Sequence, residues 1–413
     1  MTEQTPALQI EKPEESEPLR TRALARIRSG DLGSWPVVFA LALVVLVFSQ
    51  TAQNFFTPGN FTNIMTQMAG TCLLAYGVVF VLLIGEIDLS VAFVSGVAGV
   101  VVAEASSPTS ANLPWYIAVF LALLATTLIG GFQGSIVALI GVPSFVVTLA
   151  GFEIWQGVIL RTVPGVIVIQ DNEINNFSNY LFPKGWWGPP SWVPGGWTLA
   201  TAVCVVYAAA VLGSAISGTR HGIPIRRPWL LALKVITVPA IALTTVEILN
   251  RDRGVPLALI FVVGALLVWT YVAKRTTFGR HVYAVGGNAE AARRAGINVP
   301  RIRIIVFMIA GFMSGLGGIV LAARLNSVDL NAGGGTLLID AIAAAVIGGT
   351  SLFGGRGEIR NALIGAAMIS TVSNGMFILG YATGIIFMVT GGILLLAVTF
   401  DTVVRRLQVR SGR

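Results

Sequence analysis

Charge is scarce in this chain: only 11% of its 413 residues are Asp, Glu, Lys or Arg, while 55% are hydrophobic and the mean hydropathy is +0.80. A water-soluble globule of this size cannot cover itself with so little polar surface, so the apolar residues must face lipid. Cysteine and histidine are nearly absent, with two of each. Cys72 and Cys204 lie inside apolar runs, where a thiol is a small hydrophobe, which excludes a disulfide framework and a metal cluster. His221 and His281 sit among basic residues with no Cys, His or carboxylate at ligand spacing, so they read as solvated loop histidines. No nucleophile–base pair suggests an intramembrane enzyme, and no cofactor is expected. The phosphate-binding pattern G-x-x-x-x-G-K-[ST] is missing too, because the glycine-rich run GGTSLFGGRGE at 348–358 lacks the lysine.

What is present is a series of apolar runs. The first, WPVVFALALVVLVFSQTA from Trp35, is long enough as a helix to cross a hydrocarbon core ~30 Å thick. Others follow near 64–84, 91–105, 114–131, 142–160, 197–217, 229–249, 256–273, 304–322, 337–352, 360–379 and 383–401, which predicts an all-α polytopic bundle of about twelve segments over 35–403. Residues 1–34, with Arg20, Arg22, Arg26 and Arg28 and no cleavage signal, read as a cytoplasmic tail, and 404–413 as a second.

Charge orients the bundle. With the N-terminus inside and alternating spans, the clusters Arg220/Arg226/Arg227, Lys274 to Arg303, Arg356/Arg360 and Arg405/Arg406/Arg410/Arg413 all fall on the cytoplasmic side. Only Arg161, Lys184, Arg251, Arg253 and Arg324, five of the 27 basic residues, are left outside. An even number of crossings (ten, twelve or fourteen) with both termini inside satisfies this bias. The net charge of +8 is thus a topological signal, and no basic stretch interleaved with aromatics points to nucleic acid.

Two loops stand out. The outward segment 161–196 carries Trp186, Trp187, Trp192 and, at its edge, Trp197; these read first as interfacial anchors, with a docking surface for an external partner as the alternative. The inward loop 274–303 is punctuated like a folded element: Asn288 is a natural N-cap, Ala289 to Ala295 favour helix, Glu290 suits the positive end of the dipole, Gly296 suits a left-handed stop, and Pro300 blocks continuation. The expectation is a stiff helix of about two turns, ~10 Å long, outside the membrane. On composition alone it transmits force or rests on headgroups.

Intramembrane acids are costly and therefore functional suspects: Glu86, Asp88, Glu104, Glu153, Glu247 and Asp340 lie in or beside spans. Two residues apart, Glu86 and Asp88 would point to different sides of a regular helix, which favours a helix break whose backbone they satisfy. Gly130/Gly134 and Gly311/Gly315 have the spacing of close helix packing.

The run Gly286-Gly287-Asn288-Ala289-Glu290-Ala291-Ala292-Arg293-Arg294-Ala295-Gly296-Ile297, together with GEIDLSV at 85–91 and ARLNS at 323–327 leading into DAIAAAVIGGTSLFGGRG at 340–357, resembles the membrane subunits of bacterial ABC sugar importers of the ribose, arabinose and xylose group. The extra apolar pair near 197–249 is similar to the longer, xylose-type subgroup, and Glu86 and Ala92 stand where ribose-type members tend to have glycine. The resemblance implies a type II ABC importer permease, in a bacterial inner membrane, working as a homodimer. It also implies a separate cytoplasmic ATPase, a periplasmic sugar-binding protein and alternating access. It makes the 274–303 loop the coupling element, with Gly287, Asn288, Glu290, Ala291, Ala292, Arg293 and Gly296 as the candidate ATPase contacts. A neutral sugar calls for hydrogen-bonding groups, so Glu86, Asp88, Asn326, Asp329 and Asn331 are the pathway candidates. The rivals are a permease for branched-chain amino acids or other sugars and an ion-coupled secondary transporter.

Overall fold

The computed structural model describes residues 35–188, 193–222 and 228–410. The tail 1–34, Trp192, Arg226, Arg227 and Arg413 lie outside the described residues, as do the side chains of Arg405, Arg406 and Arg410.

The apolar runs become helices in the expected order. They are α1 (Trp35–Thr51), α2 (Pro58–Leu83), α3 (Val91–Ser106), α4 (Trp115–Ser135, extended by one π-turn at Ile136–Ile140) and α5 (Ser144–Thr162). After the small α6 (Asn172–Asn179) come α7 (Gly196–Arg220), α8 (Pro228–Arg251) and α9 (Leu257–Arg275), then α10 (Thr277–Gly287) and α11 (Ala289–Arg294). The chain ends with α12 (Val299–Leu325), α13 (Leu337–Ile347), α14 (Ile359–Ile378) and α15 (Thr383–Arg410). Among the described residues eight are long and apolar enough to cross a membrane, and the shorter apolar stretches of α1, α3, α13 and α15 (in α15, Thr383–Thr399) complete the twelve segments. One expectation is corrected. The run 337–352 yields a helix of only 11 residues, about 16 Å long and half a bilayer core, because Gly348 and Gly349 end it.

Two long helices, α2 and α12, form the axis. They run antiparallel, with Gly70 facing Leu321 and Gly77 facing Ala310, and both are heavily buried. Lipid tails give helices no hydrophobic reason to associate, so close contact must come from small residues that let backbones approach. The α4–α12 contact shows this: Gly130 and Gly311 oppose each other, and a Cβ on either would meet the facing backbone (Phe307 or Thr126). Gly134 meets Phe307 and Gly315 meets Thr126 in the same seam, so the expected small-residue packing is present.

Each axial helix is followed by a non-helical break and a short helix: α2, 84–90, α3, and then α12, 326–336, α13. Each such unit is preceded by one apolar helix (α1 or α9) and followed by two (α4–α5 or α14–α15). Because α2 and α12 point in opposite directions, the second arrangement inverts the first. The sequence shows no repeat by eye; the duplication lies in element order. Helices α7 and α8 lie between the two arrangements and pack mainly on each other, with only 6% of each buried.

One face of the bundle carries α10 and α11, here the knob face. The opposite, cap face is covered by the segment after α5. There β1 (Val166–Val168) pairs antiparallel with β6 (Ser327–Asp329), and two further short pairs follow: Leu181–Phe182 with Val255–Pro256, and Trp187–Gly188 with Val193–Pro194. Asp171 caps α6 by accepting from the Glu173 and Ile174 amides, and Phe177 on α6 stacks on Phe261 at 5.2 Å. The described residues of segment 161–196 therefore form a folded cap. Trp186 and Trp187 remain exposed on it, and Trp186 stacks with Trp197.

Candidate functional site

The knob is built as its sequence dictates. Asn288 Oδ1 accepts the Ala291 amide at 2.9 Å to start α11, and Gly296 ends it at φ +84°. The loop holds more helix than expected, however. Thr276 caps α10 by accepting the Gly279 amide, and Phe278, Val282 and Val285 pack toward the core at helical spacing. Pro300 does not terminate anything: it sits in the first turn of α12, where a missing N–H costs nothing, behind the Asn298 cap.

On the knob, Gly287, Asn288, Glu290, Ala291, Arg293 and Gly296 are exposed. Glu290 pairs with Arg293 at 2.6 Å and with Arg294 at 3.2 Å, both on the surface. Ala292 differs from its neighbours: it is 4% exposed and packs into the core, where it anchors α11.

Beneath the knob three stretches far apart in sequence converge. The Gly355 amide donates to the Leu83 carbonyl at 2.8 Å, closing the run 348–358 onto the end of α2. Gly286 lies so close that a Cβ there would overlap the Leu83 carbonyl oxygen and approach the Gly355 nitrogen to 2.7 Å. Gly354, at φ +83°, packs on Gly85 and Gly286. Side chains reinforce the node: Arg303 pairs with Glu86 at 3.1 Å, the Tyr283 hydroxyl donates to the Gly357 carbonyl at 2.8 Å, and Lys274 pairs with Glu358 at 2.8 Å, with Arg360 on the same carboxylate. Burial alone would raise the Glu358 carboxyl, but the Lys274 hydrogen bond and the Arg360 and Lys274 charges outweigh it and hold the group below its ordinary range. Burial, then the Glu358 charge, pushes the Tyr283 phenol up.

Asp88 serves the break, as its spacing implied. Its Oδ1 accepts the Ser90 amide at 2.9 Å and the Ser90 hydroxyl at 2.7 Å, and the same hydroxyl oxygen lies 2.9 Å from the Gln133 side-chain amide on α4. The Ile87 backbone is tied to α5 through Ser144 and Thr148.

The pathway candidates do not meet. Glu86 and Asp88 are committed near the knob face, whereas Asn326, Asp329 and Asn331 lie under the cap. Asn326 is the left-handed C-cap of α12, at φ 52°; it accepts from Asn179 Nδ2 at 2.8 Å and its carbonyl accepts the Ile169 amide at 2.9 Å. It fastens the cap to α12. Asp329 and Asn331 line a cavity of about 320 Å³ between α3 and α12, with Ser95, Ser327, Thr336 and Asp340 as its other polar side chains. Thr336 was not foreseen, although a hydroxyl one turn before an acid in an apolar run was the available signal.

Two of the stretches that carried the family resemblance, 85–91 and 286–297, thus meet the glycine-rich end of the third, 340–357, at one mechanical node, while 323–327 lies under the cap. A family profile described as "Branched-chain amino acid transport system / permease component" matches residues 60–399. The chain belongs to this permease family. It is 34% identical over 388 residues to the xylose transport system permease protein XylH of Escherichia coli strain K12, covering 92% of this chain and 94% of that one. The corresponding protein of Haemophilus influenzae is 33% identical over 389 residues, covering 91% and 98%. The ribose import permease protein RbsC of Haemophilus influenzae is 30% identical over 362 residues, covering 88% and 91%. No solved structure matches significantly. This permease is a multi-pass protein of the bacterial inner membrane, and its role is transport.

Proposed function

We propose that this permease is the membrane subunit of an ATP-driven importer of a monosaccharide, D-xylose first among candidates, working by alternating access with a separate ATPase. The observation that carries the reading is the node. An exposed charged knob, α11, is joined through Gly286 and Gly355 to the end of α2 and to the loop after α13, so a push on it reaches both inverted arrangements at once. On this reading the knob face is cytoplasmic, which agrees with the basic residues around it. Gly287, Asn288, Glu290, Ala291, Arg293 and Gly296 form the ATPase contact, and Ala292 seats the helix. The cap faces an external sugar-binding protein, and a second copy completes the pathway. Asp329 and Asn331 are pathway residues; Glu86 and Asp88 hold the inner break.

The family description names branched-chain amino acids, so the test separates substrates as well as energy sources. Proteoliposomes holding the permease, its ATPase and its binding protein should take up xylose only with ATP, and leucine not at all. Arg293→Ala should leave insertion intact and reduce sugar moved per ATP. Uptake on a proton or sodium gradient without ATP would overturn the reading, as would leucine transport without sugar transport.

A further inference from the structure

We propose that the cavity beneath the cap is a polyol subsite in which the Asp340 carboxylate accepts a sugar hydroxyl, with Thr336 as its positioning residue. The inference rests on the monosaccharide reading above and names the site and group through which it works.

At about 320 Å³ the cavity lies at the small end of ligand pockets, a size for one sugar ring rather than an oligosaccharide. Its walls suit such a ring: Gly96 and Gly99 bring bare backbone to one side, and Leu321 supplies an apolar surface for ring C–H groups. Most of its polar side chains are already engaged. The Ser95 hydroxyl donates to the Ala92 carbonyl at 2.6 Å, and Asp329 Oδ1 accepts the Asn331 amide at 3.0 Å. The Thr336 hydroxyl donates to Asp340 Oδ2 at 2.7 Å. Asp340 Oδ1, in contrast, is buried and has no hydrogen-bond partner among the described residues. A buried carboxylate oxygen without a donor is unfavourable, and such groups in folded proteins are the ones that call for a functional account.

A neutral sugar supplies what is missing. Its hydroxyls donate, and hydrogen bonds to an ionised acceptor are roughly twice as strong as neutral ones. Thr336 fixes the carboxylate plane by holding Oδ2; Oδ1, which no water-sized group reaches in this state, is left for the ligand once α13 shifts. Asp340 lies in the first turn of the half-length helix α13, next to the break at 326–336, so movement of that helix during the cycle brings the carboxylate to the occupant or withdraws it.

The test is a cycle of protein and sugar variants in the reconstituted complex with its ATPase and binding protein. Xylose and its monodeoxy analogues are compared as Vmax/KM for wild type and Asp340→Asn. The binding protein's own preferences cancel because it is the same in both arms. Wild type should lose about tenfold or more with one analogue, that lacking the hydroxyl bound by Asp340. Asp340→Asn should be impaired with xylose by a similar factor and indifferent to that same deletion. Identical loss profiles in the two proteins, with normal wild-type uptake, overturn the inference alone; a wild-type complex that takes up no monosaccharide overturns the transport reading and this inference with it. Should Asp340→Asn fail to assemble, maleimide labelling of Asn331→Cys in a Cys204→Ala background reads the same cavity. Xylose should slow labelling severalfold, and an unchanged rate overturns the proposal.

Discussion

Gly286 and Gly287 are adjacent, equivalent in composition, and opposite in surroundings, which makes them a controlled experiment on the node. Alanine is the better helix former by ~1 kcal/mol, so propensity alone favours both Gly286→Ala and Gly287→Ala. At Gly287 nothing among the described residues lies within 4 Å of the new Cβ, and that gain should stand. At Gly286 the Cβ would overlap the Leu83 carbonyl and come within 2.7 Å of the Gly355 nitrogen, the two atoms joined by the 2.8 Å bond that closes the node. These are backbone atoms and cannot swing aside. Leaving both groups unsatisfied costs about 1–3 kcal/mol, and forcing the extra volume in costs about 1–3 kcal/mol more, so after the propensity gain the net local loss is about 1–5 kcal/mol. Hydrogen exchange at the Gly355 amide in the lipid-reconstituted permease reads this directly. Protection should fall about fivefold or more in Gly286→Ala, at tenfold per 1.4 kcal/mol, and stay unchanged in Gly287→Ala. Equal protection in the two variants would refute the claim that Gly286 is a backbone contact in the node.

Three other outcomes are expected. Glu86→Gln strands the partly buried Arg303 and should lower thermal stability by about 1–3 kcal/mol, discounted from a fully buried pair because Arg303 keeps 29% exposure; Arg303→Gln added to it should cost little more, and full additivity in a double-mutant cycle would deny the pairing. Asn326→Gly keeps the left-handed backbone but loses the Asn179 bond, so it should destabilise the cap less than Asn326→Ala, which loses both; limited proteolysis within 161–196 checks the order, with a difference of about 1 kcal/mol. The Glu358 carboxyl is held below its ordinary 4.5, so its pairing with Lys274 and Arg360 contributes fully above that pH and is lost as pH falls through the lower folded value; Glu358→Gln should remove this acid-side loss, and an unchanged stability profile below pH 4.5 would contradict it.

The helices were legible because span length and basic-loop bias are strong local signals, and α11 because Asn288 and Gly296 carry their cap chemistry in the residue type. The shortness of α13 was hidden by continuous apolarity through Val346 and Ile347, although Gly348 and Gly349 marked the stop. Helix α10 was overlooked despite Thr276 and the spacing of Phe278, Val282 and Val285. The Glu86–Arg303 pair and the Leu83–Gly286–Gly355 contact have no local signature at all, since they exist only when three distant stretches share one place. Asn326 shows the limit of residue type alone: a polar residue at a span end suggested the sugar path, and only the structure shows its left-handed backbone and its bond to Asn179 of the cap.

The claim on which the rest depends is that the exposed side of α11 meets the ATPase. A photocrosslinking residue placed at Ala291, with Ala292 and Trp187 as controls, tests it in the assembled complex. Ala291 should attach to the ATPase, Ala292 should attach only within the permease, and Trp187 should give no ATPase product. An ATPase adduct from Trp187, or none from Ala291 in a complex that still hydrolyses ATP and moves sugar, would contradict the account.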